Sequence, residues 1–229
     1  QEYAVDQFHS NKERIFRLCD ETDACFAPLI GRDLKARYPE IETYVRLFET
    51  DEVATTGERH LKAKILLSDP DFFRMFSFRL AEGDTAQVLR SKNGALLSES
   101  FARNLFPEGD YLDKTVKGES VPVTGILRPF GNSQFVTPDV MLSFEEWAPL
   151  VYGWDGVLKR GYASASFPLY LMLKPHADLS AKMPDMLSHL KTYYWPYKDD
   201  HARELTIIPL TEVYLSNPLY ASEQIRIGR

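Results

Sequence analysis

The sequence holds only two cysteines, Cys19 and Cys25, with positions 20–24 between them. That is not a C-x-x-C pair, and no second pair exists to complete a structural zinc site. A turn could bring the two thiols into a disulfide, but two free, half-buried cysteines are the plainer reading, and the redox compartment stays open. Long hydrophobic runs are missing as well. The longest stretch near the middle without a charge or a strongly polar side chain is Phe167 to Leu173, far below the roughly 18 residues of a membrane-spanning helix. No secretory leader precedes the first residue, which is Gln1 rather than Met, so the expectation is that residues have been trimmed upstream. The piece is expected to be soluble as it stands, even if it is excised from a protein that is not.

Positive charge is in deficit: 27 basic side chains face 33 acidic ones, a net charge of −6. With a pI near 5.5 there is no basic face to neutralise phosphates, which argues against a general nucleic-acid binder. The five histidines, at 9, 60, 176, 189 and 201, form no i, i+4 pair and have no carboxylate at metal-ligand spacing. The 12 glycines compose no phosphate loop, no G-x-G-x-x-G and no G-x-S-x-G elbow. Cys25 has no oriented histidine to make it a nucleophile. Asp69 and Asp71 could serve as a general acid and base only if the fold gathered them onto one site. Helix capping beside Pro70 needs only local geometry, and it is the reading adopted. Glu145-Glu146 and Asp199-Asp200 read as solvated pairs. No enzyme signature emerges, and neither catalytic, cofactor-binding nor metal-ligating residues are assigned.

What is present is core material. Hydrophobic residues make up 44% and aromatics 13% of 229 residues, enough for a packed interior of one large or two small domains. Asp6 to Arg14 reads as a short helix or turn. Period-two alternation predicts strands over Ile15–Glu21 and Ile41–Phe48, and helical spacing of Phe26, Leu29, Ile30 and Leu34 predicts a helix over Phe26–Arg37, stopped by Pro39. Asp51 to Glu58 looks like a loop. Short strands follow at Leu61–Leu67, Phe76–Leu80, Ala95–Ser98 and Val121–Leu127, with Gly118 and Gly125 punctuating strands expected to be antiparallel. A helix is opened by Asp69-Pro70, another is capped by Ser98, and Phe130 to Gln134 is loop chemistry. The opening pattern then returns: strand Phe167–Leu173, helix Ser180–Leu190, strand Glu204–Leu210.

The expected fold class is therefore α+β. Two β-α-β units share one sheet, in segments 1–58 and 163–229, and a β-rich second lobe is inserted over 59–162. The four outer strands should lie in one sheet with both helices on the same face. Two aromatic groups offer the best surface candidates: Trp147, Tyr152 and Trp154, with Phe144, around Glu145-Glu146, and Tyr193, Tyr194, Trp195 and Tyr197 before Asp199-Asp200. Rings beside carboxylates can stack a sugar or make a protein contact. The plainer reading is that they anchor loops onto their own core.

Several stretches together resemble the MacB-like periplasmic core domain of ABC transporter permeases in the FtsX/MacB group, in versions found in Bacteroidetes. They are Tyr3-Ala-Val-Asp-Gln-Phe-His-Ser-Asn-Lys-Glu-Arg-Ile-Phe-Arg, Ala27-Pro-Leu with Tyr38-Pro-Glu-Ile-Glu, Ser68-Asp-Pro-Asp-Phe-Phe-Arg-Met-Phe-Ser-Phe-Arg-Leu-Ala-Glu-Gly-Asp, Leu97-Ser-Glu-Ser-Phe-Ala-Arg-Asn-Leu-Phe-Pro, and Val123-Thr-Gly-Ile-Leu. The match is strongest from Tyr3 to Leu127.

The resemblance implies an extracytoplasmic domain of an inner-membrane permease, held between its first and second membrane helices. The outer units form a porter-like lobe and the insert a sabre-like one. Its implied partners are the permease's own membrane helices, a second permease subunit, a cytoplasmic ATP-binding subunit and a periplasmic or outer-membrane protein. The domain itself would hold no cofactor, ATP being used elsewhere, and would be non-catalytic, coupling ATP-driven motion to substrates or partners outside the membrane. The alternative is a free-standing carbohydrate- or protein-binding module. The excised domain is expected to be monomeric or weakly associated, and Gln1 and Arg229 to lie on one face of the molecule.

Overall fold

The computed structural model describes residues 4–90, 94–116, 121–145 and 161–216. The described chain folds into one open sheet of 11 strands. In chain order these are β1 (Ile15–Cys19), β2 (Cys25–Phe26), β3 (Ile41–Thr56), β4 (Arg59–Ser68), β5 (Leu80–Glu82), β6 (Ala95–Ser98), β7 (Thr115–Val116), β8 (Val121–Leu127), β9 (Val140–Ser143), β10 (Phe167–Leu173) and β11 (Thr206–Pro209). The helices are α1 (Ile30–Arg37), α2 (Phe72–Met75), α3 (Glu99–Leu105), α4 (Met183–Leu190), α5 (Trp195–Lys198) and α6 (Leu210–Val213). The strands run β11-β1-β10-β3-β4-β9-β6-β8-β5, with β2 beside β10 and β7 beside β8.

The four outer strands lie together as expected, in the order β11, β1, β10, β3. Every residue of β10 is buried because both its faces are covered, which is why its sequence is a continuous apolar run rather than an alternation. On one face Leu169, Leu171 and Leu173 meet Ile30 and Leu34 of α1 and Met186 and Leu190 of α4. On the other, Tyr170 and Met172 meet Phe72, Phe76, Phe135 and Leu210. A third core surrounds α3, where Phe101 and Leu105 pack on Leu67, Leu97, Val123 and Ile126.

The structure corrects several expectations. Asp51–Glu58 is no loop: β3 runs to Thr56 and turns through Gly57 (φ 52°) into β4, pairing Leu47–Thr56 with Arg59–Ser68. Those polar residues are the wet side of a hairpin, and the glycine supplies the positive φ that a two-residue turn requires. The first helix begins at Ile30, not Phe26, since Cys25–Phe26 pair with Phe167–Pro168 as β2. Pro28 also disfavours helical geometry at Ala27. Phe76 to Phe78 is not a strand; pairing begins only at Leu80, opposite Leu127. β6 and β8 are parallel rather than antiparallel, as are β4 and β9. The connection through α3 allows this, because parallel neighbours need a crossover between them. Ser98 caps α3 as expected, its hydroxyl accepting the Phe101 N–H at 3.2 Å.

Cys19 and Cys25 are both buried thiols, and burial raises the pKa of the Cys19 thiol. Gln1 and Arg229 lie outside the described residues.

Candidate functional site

Two buried polar junctions tie the chain together. The first gathers the opening segment. Asp6 is fully buried and sits at φ 57°, a left-handed conformation that Asp tolerates better than most residues. Its carboxylate accepts four hydrogen bonds: from Ser133 Oγ at 2.5 Å, Gln134 Nε2 at 2.7 Å, Gln134 N at 3.3 Å and His9 Nε2 at 3.2 Å. His9 Nδ1 accepts the Ser77 N–H at 2.9 Å, so the ring is the tautomer that carries its proton on Nε2 and donates it to Asp6. Phe76 and Phe78 present their edges to that ring at 5.6 and 4.9 Å. Gln134 Nε2 also reaches the Leu210 carbonyl at 3.4 Å. Arg14 completes the clasp through Glu42 (2.7 Å), the Leu173 carbonyl (2.8 Å) and Asn11 (2.7 Å). Segments near both ends of the described chain are thus held by one glutamine side chain.

The second junction lies where β3 changes neighbours. Through Arg46 it pairs with β10; from Leu47 it pairs with β4. The Arg46 guanidinium is buried and donates to Asp69 Oδ2 at 3.0 Å and Oδ1 at 2.5 Å, to the Pro28 carbonyl at 2.9 Å and to Glu145. It lies 4.1 Å from the Phe144 ring centroid, a cation–π contact. Burial works against its charge, but the Asp69 carboxylate more than offsets this and raises its pKa above the ordinary arginine value. Burial likewise raises Asp69, and Arg46 pulls it back only in part. Asp69 is therefore not a helix cap. Asp71 stands at the N-cap position of α2 but its side chain makes no capping bond: it accepts from Thr43 Oγ1 at 2.6 Å and Arg90 at 2.7 Å. The two carboxylates serve different arginines and form no acid–base pair. Glu145, expected as solvated surface, has a half-exposed side chain but holds Arg46.

The aromatic candidates divide. Trp147, Tyr152 and Trp154 lie outside the described residues. Tyr194 and Tyr197 are each 1% exposed and belong to the core under α4 and α5, so they form no ligand surface. Apolar rings on the inner side of a short helix bury first. Tyr194 also accepts the Ala27 N–H at 3.0 Å and donates to the Ser164 carbonyl at 3.1 Å, the loop-anchoring role. Tyr193 is half-buried against Tyr162 and His189. Trp195 is exposed and rests on His201. Among the described residues no group of three or more His, Cys, Asp or Glu could hold a metal ion, and no helix is long and apolar enough to cross a membrane.

Neither Arg46 nor Gln134 stands out in the sequence as a functional residue. One signal was available: Arg46 interrupts the apolar run Val45 to Phe48, and a charge inside a buried strand needs a partner.

The described residues form a mixed α+β fold on a single open sheet. Residues 1–186 match the MacB-like periplasmic core domain, and the chain belongs to that family. Among solved structures it is similar to a domain described as that of a permease protein from Porphyromonas gingivalis (17% identity, TM-score 0.70, 89% of this chain and 92% of that one). It is also similar to the periplasmic region of MacB from Actinobacillus actinomycetemcomitans (11%, TM-score 0.59, 88% and 91%). A third is the extracellular domain of the noncanonic ABC-type transporter YknZ from Gram-positive bacteria (13%, TM-score 0.57, 85% and 99%). No curated protein matches the chain.

Proposed function

We propose that this chain is the extracytoplasmic domain of an inner-membrane ABC permease subunit and works as a mechanical coupler. It binds no nucleotide, carries no catalytic residue and holds no cofactor. ATP is used by a separate cytoplasmic subunit, whose motion reaches the domain through membrane helices of its own subunit and of a second permease subunit, and is passed to a substrate or periplasmic partner. The lobes are those of the sequence: 1–58 with 163–229 nearer the membrane, and 59–162 as the inserted lobe.

The observation that carries the reading is the Gln134 side chain, which holds Asp6 and Leu210 at once. A displacement of either segment is delivered to the loop after β8, and so to the insert. β3 supports this as a lever, since beyond an irregularity at Glu42 it stays paired from β10 into the β4 hairpin. A bent or broken strand would absorb motion that a paired one transmits.

The test is Gln134→Ala in the intact transporter. Basal ATP hydrolysis should persist while the ATP-driven distance change between spin labels at exposed positions of the two lobes shrinks. An unchanged distance response would remove the coupling role, and binding of a glycan by the isolated domain would favour the module reading.

A further inference from the structure

Alternation along β1 sends Phe16 and Leu18 towards α1 and α4 and leaves Ile15 and Arg17 on the opposite face. Arg17 is 3% exposed. It sits directly opposite Tyr170 of β10 and Ile208 of β11, so the Arg17 and Tyr170 side chains rise side by side from one face. Arg17 Nη2 donates to Ser216 Oγ at 3.1 Å, whereas its Nε–H has no partner. The Tyr170 hydroxyl, fully buried, has no acceptor for its proton either, and its oxygen faces the Arg17 guanidinium. Phe76 and Phe135 hold the tyrosine ring edge-on at 5.6 and 5.5 Å, which fixes where its hydroxyl points.

The neighbouring polar groups are already committed. Ser216 gives its own proton to the Val213 carbonyl at 2.6 Å. The Cys19 thiol donates to the Arg17 carbonyl. Asp6 bears electrostatically on Tyr170, but its oxygens are filled by the four donors described above. Burial raises the Tyr170 pKa well above the ordinary value, which keeps the phenol protonated and a donor.

A buried guanidinium without a carboxylate in contact is costly, and a second unmatched donor beside it adds to that cost. Both groups offer hydrogens, and the site carries positive charge. We propose that Arg17 and Tyr170, with Ser216 holding the guanidinium in place, form a binding site for a single small oxyanion, a carboxylate or phosphate group, beneath α6. The guanidinium edge takes one oxygen through Nε, and the phenol donates to the same group. This proposal does not depend on the coupling role.

The experiment is a titration of the folded domain with inorganic phosphate, and separately with acetate, at constant ionic strength in chloride. The Arg17 Nε–H resonance and the melting temperature are followed together. The resonance should shift saturably, with the stronger of the two anions telling phosphate from carboxylate chemistry. Tyr170→Phe should keep the fold and weaken binding about 3- to 10-fold, the loss of one hydrogen bond. Arg17→Lys should weaken it at least about tenfold by removing the fork. An Arg17 resonance that neither anion moves, or equal stabilisation of wild type and Tyr170→Phe, would overturn the site.

Discussion

Arg46 Nη2 and Asp69 Oδ1 lie 2.5 Å apart with side chains 5% and 7% exposed, at the point where β3 leaves one neighbour for another. Removing one member of such a pair strands the other in the interior, at a cost of about 3–5 kcal/mol. Arg46→Met should lower the unfolding free energy read from urea denaturation by that amount, and Asp69→Leu by somewhat less, because Glu145 still meets Arg46. The double variant should be more stable than either single one, because no charge is then left alone. Strict additivity of the two losses would show that the pair is not the source of the effect.

Glu49, on β3 near the same junction, gives a pH test. Burial pushes its carboxyl up to about 7 from the ordinary 4.5, with Lys64 pulling it down and Asp51 pushing it further up. Folding therefore favours the protonated form. Stability contributed by this group is present below pH 4.5 and is lost as pH rises through 7, since the folded state binds the extra proton in that window. After allowance for its partial exposure the loss is about 1–3 kcal/mol. Glu49→Gln should flatten the fall in thermal stability between pH 5 and 8 and be the more stable protein at pH 8.

Gly31 lets α1 approach the sheet. A Cβ there would stand 2.5 Å from Tyr44 Cδ2 and 2.9 Å from Leu169 Cδ1. Although alanine is the better helix former, Gly31→Ala should destabilise by about 1–3 kcal/mol through overpacking. Combining it with Tyr44→Ala, which vacates the space, should produce a smaller loss than the two separate losses summed, as read from chemical denaturation.

The clasp around Asp6 makes a prediction about local opening. Gln134→Ala should speed amide exchange both at residues 6–9 and at α6, segments far apart in sequence that share this one side chain. Exchange in α3, which packs in a different core, should not change. Faster exchange at only one of the two segments would mean that Gln134 does not link them.

How legible this was depends on how local the cause is. β10 could be read to the residue because its burial on both faces leaves a plain apolar run bounded by Lys174-Pro175. The Ser98 cap was equally visible, being settled within three residues. Asp69 was misread because a cap is the local solution for an acid before a proline, whereas its actual partner is 23 residues upstream on β3. The same distance hid Gln134, whose contacts at Asp6 and Leu210 are set by how three segments converge. Asp51–Glu58 misled because polarity was taken for irregularity, when in a hairpin arm the backbone pairs whatever its side chains prefer.

The place of β10 in the sheet also constrains how the chain is made. It lies between β1 and β3, so during synthesis those two early strands wait, separated by the width of a missing strand, until residue 173 has emerged. Two neighbouring strand places sit about 4.8 Å apart, and the gap therefore exposes two unsatisfied edges while the residues between Thr56 and Phe167 are made. Closure joins segments more than a hundred residues apart, a slow step that invites foreign strands into the slot. A chain that stops short of β10 leaves that slot open for good.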